Sequence, residues 1–215
     1  MKHKYIAVEG PIGVGKSTLA TRLAESLGYS FVSESALSNP YLERFYKHPA
    51  QFAFHAQVHF LQSRVETLSQ LQPGLPARGE EGVVTDFCMD KDSLFAANTL
   101  DDTEFSMYER LHTSLVTGLQ QPDLVIYLQA PVSVLLNRIS KRGLKFEQNI
   151  NSSYLQKLAD SYENYFHQYD QTPLLVVNAA EINIAENLVD YENLLRNIAE
   201  IGPGRHYLNP IAAPV

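Results

Sequence analysis

Eight residues near the N-terminus, GPIGVGKS at positions 10–17, constrain the fold of this chain more than any other feature of its sequence. They match the pattern G-x-x-x-x-G-K-[S/T] and lie between an apolar run at residues 5–9 and the helix-patterned segment KSTLATRLAESL. In this context the glycines let backbone N–H groups point at phosphate oxygens, Lys16 reaches the outer phosphates, and Ser17 ligates Mg²⁺. The expected cofactor-binding residues are Gly10, Gly13, Val14, Gly15, Lys16, Ser17 and Thr18. The motif therefore predicts a site for a nucleoside triphosphate with Mg²⁺.

Short apolar runs alternate with helix-patterned stretches along the chain. Strands are predicted at residues 5–9, 29–33, 83–86, 124–128 and 174–177, and helices at 16–27, 39–71 with a break before Pro49, 92–120, 132–143, 152–169 and 183–201. Several of the strand runs lack polar alternation, as expected for strands that are buried on both faces. The sequence predicts an α/β fold with a five-stranded parallel sheet and helices on both faces.

The length of 215 residues suffices for one sizeable core and is short for two, so a single domain is expected. The segment PGLPARGEEG at residues 73–82 is predicted to be a turn-rich surface loop. The tail at residues 203–215 is rich in proline and is expected to be flexible unless it docks on the domain.

The charge balance argues against a nucleic-acid partner. Seventeen Lys and Arg against 24 Asp and Glu give a net charge of -7, which repels a phosphate backbone over most of the surface. Cys88 is the single cysteine, so an intramolecular disulfide is excluded, and no secretory signal or membrane-spanning apolar run is apparent. We expect no membrane association and a cytoplasmic location.

The glycine loop does not itself say what receives the phosphoryl group. A GTPase would carry a guanine-reading N-K-x-D and a D-x-x-G after the strand that supports Mg²⁺, and neither string occurs. A GTPase switch is therefore improbable.

Two carboxylates follow predicted strands and should meet at the edge of the sheet that holds the glycine loop. Asp86 ends the apolar strand VVTD, which suits an acid beside the Mg²⁺ of a phosphate-binding loop, although any buried strand can end in Asp. Glu34 follows the strand at 29–33, where it could accept the proton of an attacking hydroxyl. A helix-capping or surface role remains the alternative for Glu34.

The order of several strings resembles the deoxynucleoside kinases over residues 4–178. The strings are GPIGVGKST, Glu34 before NPYLERFY, FAFHAQVHFLQSR, VVTDFCMDKDSLFA, PDLVIYLQAP and RISKRGLKFEQNI. The similarity is to the bacterial deoxyadenosine or deoxyguanosine kinase type. It implies a P-loop kinase fold with a short arginine lid, a homodimer, and transfer of the γ-phosphoryl group of ATP to the 5′-hydroxyl of a deoxynucleoside, with a purine preferred.

The resemblance also implies roles for individual residues. Glu34 matches the general base, and Lys16 and Ser17 match the phosphate and Mg²⁺ residues. Tyr46 and Glu147 match the pair that holds the 3′-hydroxyl of the sugar. Gln57 matches the amide that pairs with the base edge, whereas the residue type alone would indicate a helix-surface glutamine.

Arg138 and Arg142 are four residues apart, so on a helix they project from one face. In the family this segment begins a lid whose arginines clasp the phosphates as charge develops in the transition state. A solvated basic face is the alternative reading, and the absence of a carboxylate in the same heptad argues against it.

Two positions depart from the family pattern. An arginine commonly follows the acid after the third strand, but here Phe87 follows Asp86, and Leu144 stands where the lid often has another arginine. Lys91 or Lys145 could supply the missing charge. Asp86 is therefore expected to bind Mg²⁺ or to act at the acceptor site, and Asp90 and Asp92 remain unassigned.

Two rival functions share the glycine loop. A nucleoside monophosphate kinase would need further cations for the phosphate of the acceptor, and few basic residues lie between positions 34 and 57. An ATP-binding regulatory domain without transfer activity is conceivable because Phe87 replaces an arginine. The resemblance therefore implies an ATP-dependent deoxynucleoside kinase, with Lys16, Glu34, Asp86, Arg138 and Arg142 expected as its catalytic residues.

Overall fold

A parallel sheet of six strands forms the centre of the molecule in a computed structural model, which describes residues 2–71, 81–181 and 187–209. The strands are β1 (Tyr5–Glu9), β2 (Ser30–Val32), β3 (Val83–Thr85), β4 (Leu124–Gln129), β5 (Leu174–Asn178) and β6 (Arg205–Leu208). Their order across the sheet is β2-β3-β1-β4-β5-β6, and every pair is parallel. The α/β class is confirmed, but the expected number of five strands is wrong.

The helices cover both faces of this sheet. They are α1 (Lys16–Leu27), α2 (Leu42–Lys47), α3 (Pro49–Ser69), α4 (Asp90–Thr99), α5 (Asp102–Leu115), α6 (Val132–Arg142), α7 (Ser152–Gln168) and α8 (Leu188–Glu200), with short 3-10 helices at Ala36–Ser38 and Lys145–Asn149. Among the described helices, none is both long enough and apolar enough to cross a bilayer.

Alternate residues of the strands supply two separate cores, as a sheet with helices on both faces requires. In β1, Ile6 and Val8 pack into one core with α1, α6 and α8, while Tyr5 and Ala7 pack into the other with α3, α4, α5 and α7. All four residues are buried, which explains why this strand shows no polar alternation in the sequence.

The sixth strand corrects the expectation that the tail from residue 203 is flexible. Residues 205–208 pair with residues 174–177 of β5, and Leu208 is 5% exposed in the core beside α8. Arg205 further donates to the backbone carbonyls of His167 and Tyr169 at the end of α7. The tail is therefore docked through residue 208.

The helices follow the sequence patterns, but one predicted tract is divided. The break before Pro49 is confirmed, with His48 lying between α2 and α3. The predicted tract at 92–120 is two helices, because Asp101 caps α5 through the N–H groups of Thr103 and Glu104. Residues 73–80 of the predicted loop and 183–186 of the predicted last helix lie outside the described residues.

The order of the strands brings three loops together at the carboxyl edge of the sheet. The glycine loop follows β1, Asp86 follows β3, and Glu34 lies two residues after β2, and these three strands are adjacent. In an open parallel sheet the ligand crevice lies at this edge.

Candidate active site

The glycine loop ends in a helix terminus that is open to an anion. Helix α1 begins at Lys16, its N-cap Gly15 contributes no side-chain bond, and its first turn holds no acidic residue. The N–H groups of that turn therefore remain available to phosphate oxygens, with the positive end of the helix dipole behind them.

Lys16 is half-buried and folds back across the loop. Its Nζ donates to the carbonyl oxygens of Gly10, at 2.8 Å, and of Pro11, at 3.2 Å. Burial, followed by repulsion from the Lys91 ammonium, lowers the pKa of Lys16 to about 8. Lys16 is thus held over the loop with a proton that it binds more weakly than an exposed lysine does.

Ser17, Asp86 and Glu34 form a direct chain of hydrogen bonds. The Ser17 hydroxyl donates to Asp86 Oδ2 at 2.5 Å, and the Glu34 backbone N–H donates to Asp86 Oδ1 at 2.7 Å. A hydroxyl and a carboxylate held together in this way are hard oxygen ligands that suit Mg²⁺. The pair fits the metal that the glycine loop implies, with Asp86 also fixing the backbone that carries Glu34.

A cavity of about 680 Å³ opens beside this chain. The residues predicted from the sequence that line it are Gly13, Lys16, Ser17, Thr18, Glu34, Tyr46, Gln57, Asp86, Arg142 and Glu147. One cavity therefore brings together residues of α1, α2, α3 and the segment after α6, which are distant in sequence.

Glu34 is held by two cations. Arg64 of α3 contacts Oε1 through Nη2 and through Nε, the latter at 2.9 Å, and Lys91 of α4 donates to Oε2 at 2.6 Å. Burial alone would raise the pKa of Glu34, but Arg64 and Lys91 outweigh it and hold the pKa well below its usual range. Glu34 is consequently ionised before an acceptor arrives.

Arg64 and Asp92 form a buried ion pair that the sequence analysis missed. Nη1 of Arg64 contacts Asp92 Oδ1, and the two residues are 3% and 0% exposed. Arg64 follows Gln57 by seven residues, or two helical turns, so both line the cavity from one face of α3. The sequence signal that could have revealed this pair is the charged Arg64 on the helix face that also carries the buried Leu61 and Leu68.

Gln57 is buried and only partly bonded, contrary to the surface role that its residue type suggests. Its side chain is 2% exposed, and Nε2 donates to the hydroxyl of Thr99 at 3.2 Å. Within the described residues, Oε1 has no hydrogen-bond partner. Because unpaired buried acceptors are costly, this oxygen is suited to a donor from a bound molecule.

Arg142 and Glu147 form a bidentate ion pair at the end of α6. Nη2 of Arg142 lies 2.6 Å from both carboxylate oxygens, and Nε lies 3.0 Å from Oε2. This corrects the expectation that Arg142 has no carboxylate nearby, because Glu147 lies beyond the helix in the 3-10 turn. Next to the pair, the ring of Tyr46 stacks on Phe146 at 5.9 Å.

Arg138 is not among the residues that line the cavity. Its Nη1 donates to the carbonyl of Val14 at 3.0 Å, and its Nη2 donates to that of Ala179 at 2.7 Å. The spacing of four residues does put Arg138 and Arg142 on one helix, but the two backbone carbonyls hold Arg138 against the glycine loop. A catalytic role for Arg138 stays a prediction.

Glu9 is a second feature that the sequence analysis did not recognise. It is fully buried at the end of β1, and its carboxylate accepts from the N–H groups of Gly10 and Cys88 and from the hydroxyl of Tyr162. Burial raises the pKa of Glu9, although the Lys91 and Lys16 charges oppose that change. Glu9 therefore ties the glycine loop to the segment that follows β3. The sequence signal that could have revealed the role of Glu9 is its position directly before the glycine loop.

Together these features define a P-loop phosphotransferase with a cavity beside the phosphate loop. A sequence model of the deoxynucleoside kinase family matches residues 6–201. A deoxyguanosine kinase of Bacillus subtilis is 32% identical over 92% of this chain and 97% of its own length. A deoxyadenosine kinase of Dictyostelium discoideum is 31% identical over 98% and 84%.

Solved structures agree with these sequence relatives. Deoxyadenosine kinase from M. mycoides with bound dATP is 28% identical and superposes with a TM-score of 0.78 over 91% of this chain and all of that one. The chain belongs to the deoxynucleoside kinase family. The resemblance noted from the sequence is thereby confirmed, as is the prediction of an enzyme that phosphorylates deoxynucleosides.

Proposed function

We propose that this enzyme transfers the γ-phosphoryl group of ATP to the 5′-hydroxyl of a purine deoxynucleoside, with Glu34 as the general base. The observation that carries the proposal is the position of Glu34. It contacts Asp86, which bonds Ser17 of the glycine loop, and it contacts Arg64, which shares a helix face with Gln57. Glu34 thus lies between the residues assigned to the donor and those assigned to the acceptor.

The reaction needs a base close to the attacking oxygen. The acceptor oxygen forms a bond to the γ-phosphorus, the bond from phosphorus to the bridging oxygen breaks, and ADP leaves with the electron pair. The proton of the hydroxyl passes to the Glu34 carboxylate, which its low pKa keeps ionised. Lys16 and Arg142 supply positive charge to the phosphates, and Mg²⁺, held by Ser17 and Asp86, would neutralise charge on the donor.

The other cavity residues suit the sugar and the base. Burial raises the pKa of Tyr46, so its phenol keeps the proton that it needs to donate a hydrogen bond. We assign Tyr46 and Glu147 to the 3′-hydroxyl, and Gln57, with its unpaired Oε1, to the edge of the base. A purine preference is supported by the relatives named deoxyguanosine and deoxyadenosine kinases.

The cations of the cavity argue against a nucleoside monophosphate as acceptor. Apart from Lys16, which is assigned to the donor, the described cations that line the cavity are paired: Arg64 and Lys91 with Glu34, and Arg142 with Glu147. A phosphate on the acceptor would have to displace one of these carboxylates. The neutral 5′-hydroxyl of a nucleoside requires no such exchange.

The assembly and the cellular location are also proposals. A homodimer follows from the resemblance to enzymes that are generally dimers, and light scattering at several protein concentrations tests it. The single cysteine, Cys88, is buried and permits no intramolecular disulfide, which supports the proposed cytoplasmic location.

An acceptor panel tests the proposed function. ADP release with ATP and Mg²⁺ is measured for the four deoxynucleosides, their monophosphates, a 2′,3′-dideoxynucleoside and no acceptor. We expect deoxyadenosine or deoxyguanosine to give the highest kcat/KM, and the dideoxynucleoside to be about 10-fold or more poorer, because Tyr46 and Glu147 lose their partner. A preference for thymidine or deoxycytidine contradicts the purine assignment, and faster turnover of monophosphates contradicts the acceptor class.

Glu34→Gln isolates the role of the base. The amide keeps the shape of the side chain but cannot take the proton, so kcat should fall by about 10² to 10⁴-fold. Unchanged kcat at saturating acceptor would contradict the role of Glu34 as the base.

A further inference from the structure

Lys91 is a buried cation at the candidate site, and no sequence motif assigns it a role there. It is the second residue of α4 and is 5% exposed, and it lines the cavity. Its Nζ donates to Glu34 Oε2 at 2.6 Å and lies 5.5 Å from the ring centre of Phe95. Burying an ammonium is costly unless it meets an opposite charge, so the contact with Glu34 stabilises Lys91 in this position.

Neither Phe87 nor Lys145, the other two positions considered for the missing charge, places a cation at Glu34. Phe87, which directly follows Asp86, is fully buried in the core beneath α3 and α7 and points no polar atom into the cavity. Lys145 is exposed at the start of the 3-10 turn and does not line the cavity. Lys91 reaches the cavity because it lies five residues beyond Asp86, on the first turn of the next helix.

The two cations on Glu34 differ in what else they contact. Arg64 holds Oε1 and also contacts Asp92, so it keeps a carboxylate partner if it leaves Glu34. Lys91 holds Oε2 and has Glu34 as its ion-pair partner. A general base needs one carboxylate oxygen free to receive the proton while the other is fixed. Arg64 is the cation that can release its oxygen, Oε1, because it retains Asp92 as a partner.

We propose that Lys91 is a positioning residue for the general base: it fixes Oε2 of Glu34 and so presents Oε1 to the hydroxyl of the acceptor. The proposal rests on the proposed function, in which Glu34 takes that proton. Lys91 acts through Glu34, and it replaces the charge that Phe87 cannot provide.

Three variants test the proposal, with deoxynucleoside and ATP both varied. In Lys91→Met we expect kcat at neutral pH to fall by about 10-fold or more, with the KM for ATP and the KM for the acceptor changed far less. Lys91→Arg should restore most of kcat, because it restores the charge. Lys145→Met, which removes an exposed lysine, is the matched control and should behave as wild type.

Thermal melts accompany the kinetics, and Lys91→Gln replaces the methionine variant if that variant does not fold. A kcat within twofold of wild type would overturn the proposal. Equal losses of kcat in Lys91→Met and Lys91→Arg would also overturn it by showing a packing role. If Glu34→Gln is inactive while Lys91→Met is fully active, the proposed function stands and only the positioning role fails.

Discussion

The proton on Lys16 decides how strongly the free enzyme attracts the donor nucleotide. Its pKa is lowered to about 8 by burial, with Lys91 adding repulsion, so in the free enzyme Lys16 is charged below that pH and neutral above it. We expect the affinity for ATP to be constant near pH 7 and to have fallen by about tenfold at pH 9, since nearly all of the charge is then lost.

Equilibrium titration with ATP across this pH range measures the effect. Lys16→Met provides the comparison, because it should bind ATP weakly and show no decline between pH 7 and pH 9. A wild-type affinity that is flat to pH 10 would show that Lys16 keeps its proton throughout.

Residues with a local sequence signal could be predicted, and those whose role depends on distant partners could not. The glycine loop and the carboxylates at strand ends were found because a short pattern defines each one. The binding role of Gln57 was predicted only from the family resemblance. The contacts of Arg64 with Asp92 and with Glu34 join residues 28 and 30 positions apart, and no local pattern predicts which side chains meet across such a distance.

At the scale of elements, Gly13 sets how closely the glycine loop approaches α6. Its φ is +84°, and a Cβ added there would lie 2.8 Å from Ile139 Cγ1 and 2.9 Å from the carbonyl oxygen of Leu135. An L side chain is disfavoured in this conformation, and the carbonyl belongs to a helix backbone that cannot easily move.

Gly13→Ala should therefore push the loop away from α6 and weaken ATP binding by about tenfold or more, while also lowering the melting temperature. Titration with ATP and a thermal melt check the two effects. Gly118→Ala is a suitable control for the strain alone, because its φ is also +84° and its added Cβ meets nothing within 4 Å. Equal ATP affinity in both variants would mean that the contact with α6 is unimportant.

Elements were predicted well where burial or capping leaves a strong pattern. The break before Pro49 and the first five strands are examples. The strand β6 was missed because RHYL is short, has half its residues polar, and lies between Gly204 and Pro210, all of which indicate a loop. Its pairing with β5 is a tertiary effect, which local propensity does not capture.

At the scale of the whole molecule, β6 extends the sheet and closes one core. Leu208 is 5% exposed there, whereas its neighbour Tyr207 is 62% exposed. Leu208→Ala should lower the free energy of unfolding by about 2 to 5 kcal/mol, because it removes buried methyl groups and leaves a cavity. The matched Tyr207→Ala on the same strand should cost far less.

Chemical denaturation of both variants measures this difference. We expect kcat to remain close to wild type in each folded variant, because β6 lies at the opposite edge of the sheet from β2, which leads to Glu34. Equal stability of Leu208→Ala and Tyr207→Ala would mean that the tail contributes nothing to folding.

The two sets of ion pairs at the site differ in their access to dissolved ions. Arg142 is 46% exposed in its pair with Glu147, whereas the side chains of Arg64, Lys91 and Glu34 are 4%, 5% and 12% exposed. Added salt screens exposed pairs and reaches buried ones far less. Rising ionic strength therefore loosens the end of α6 while leaving the base in place, so the salt response of turnover distinguishes movement of this segment from proton transfer at Glu34.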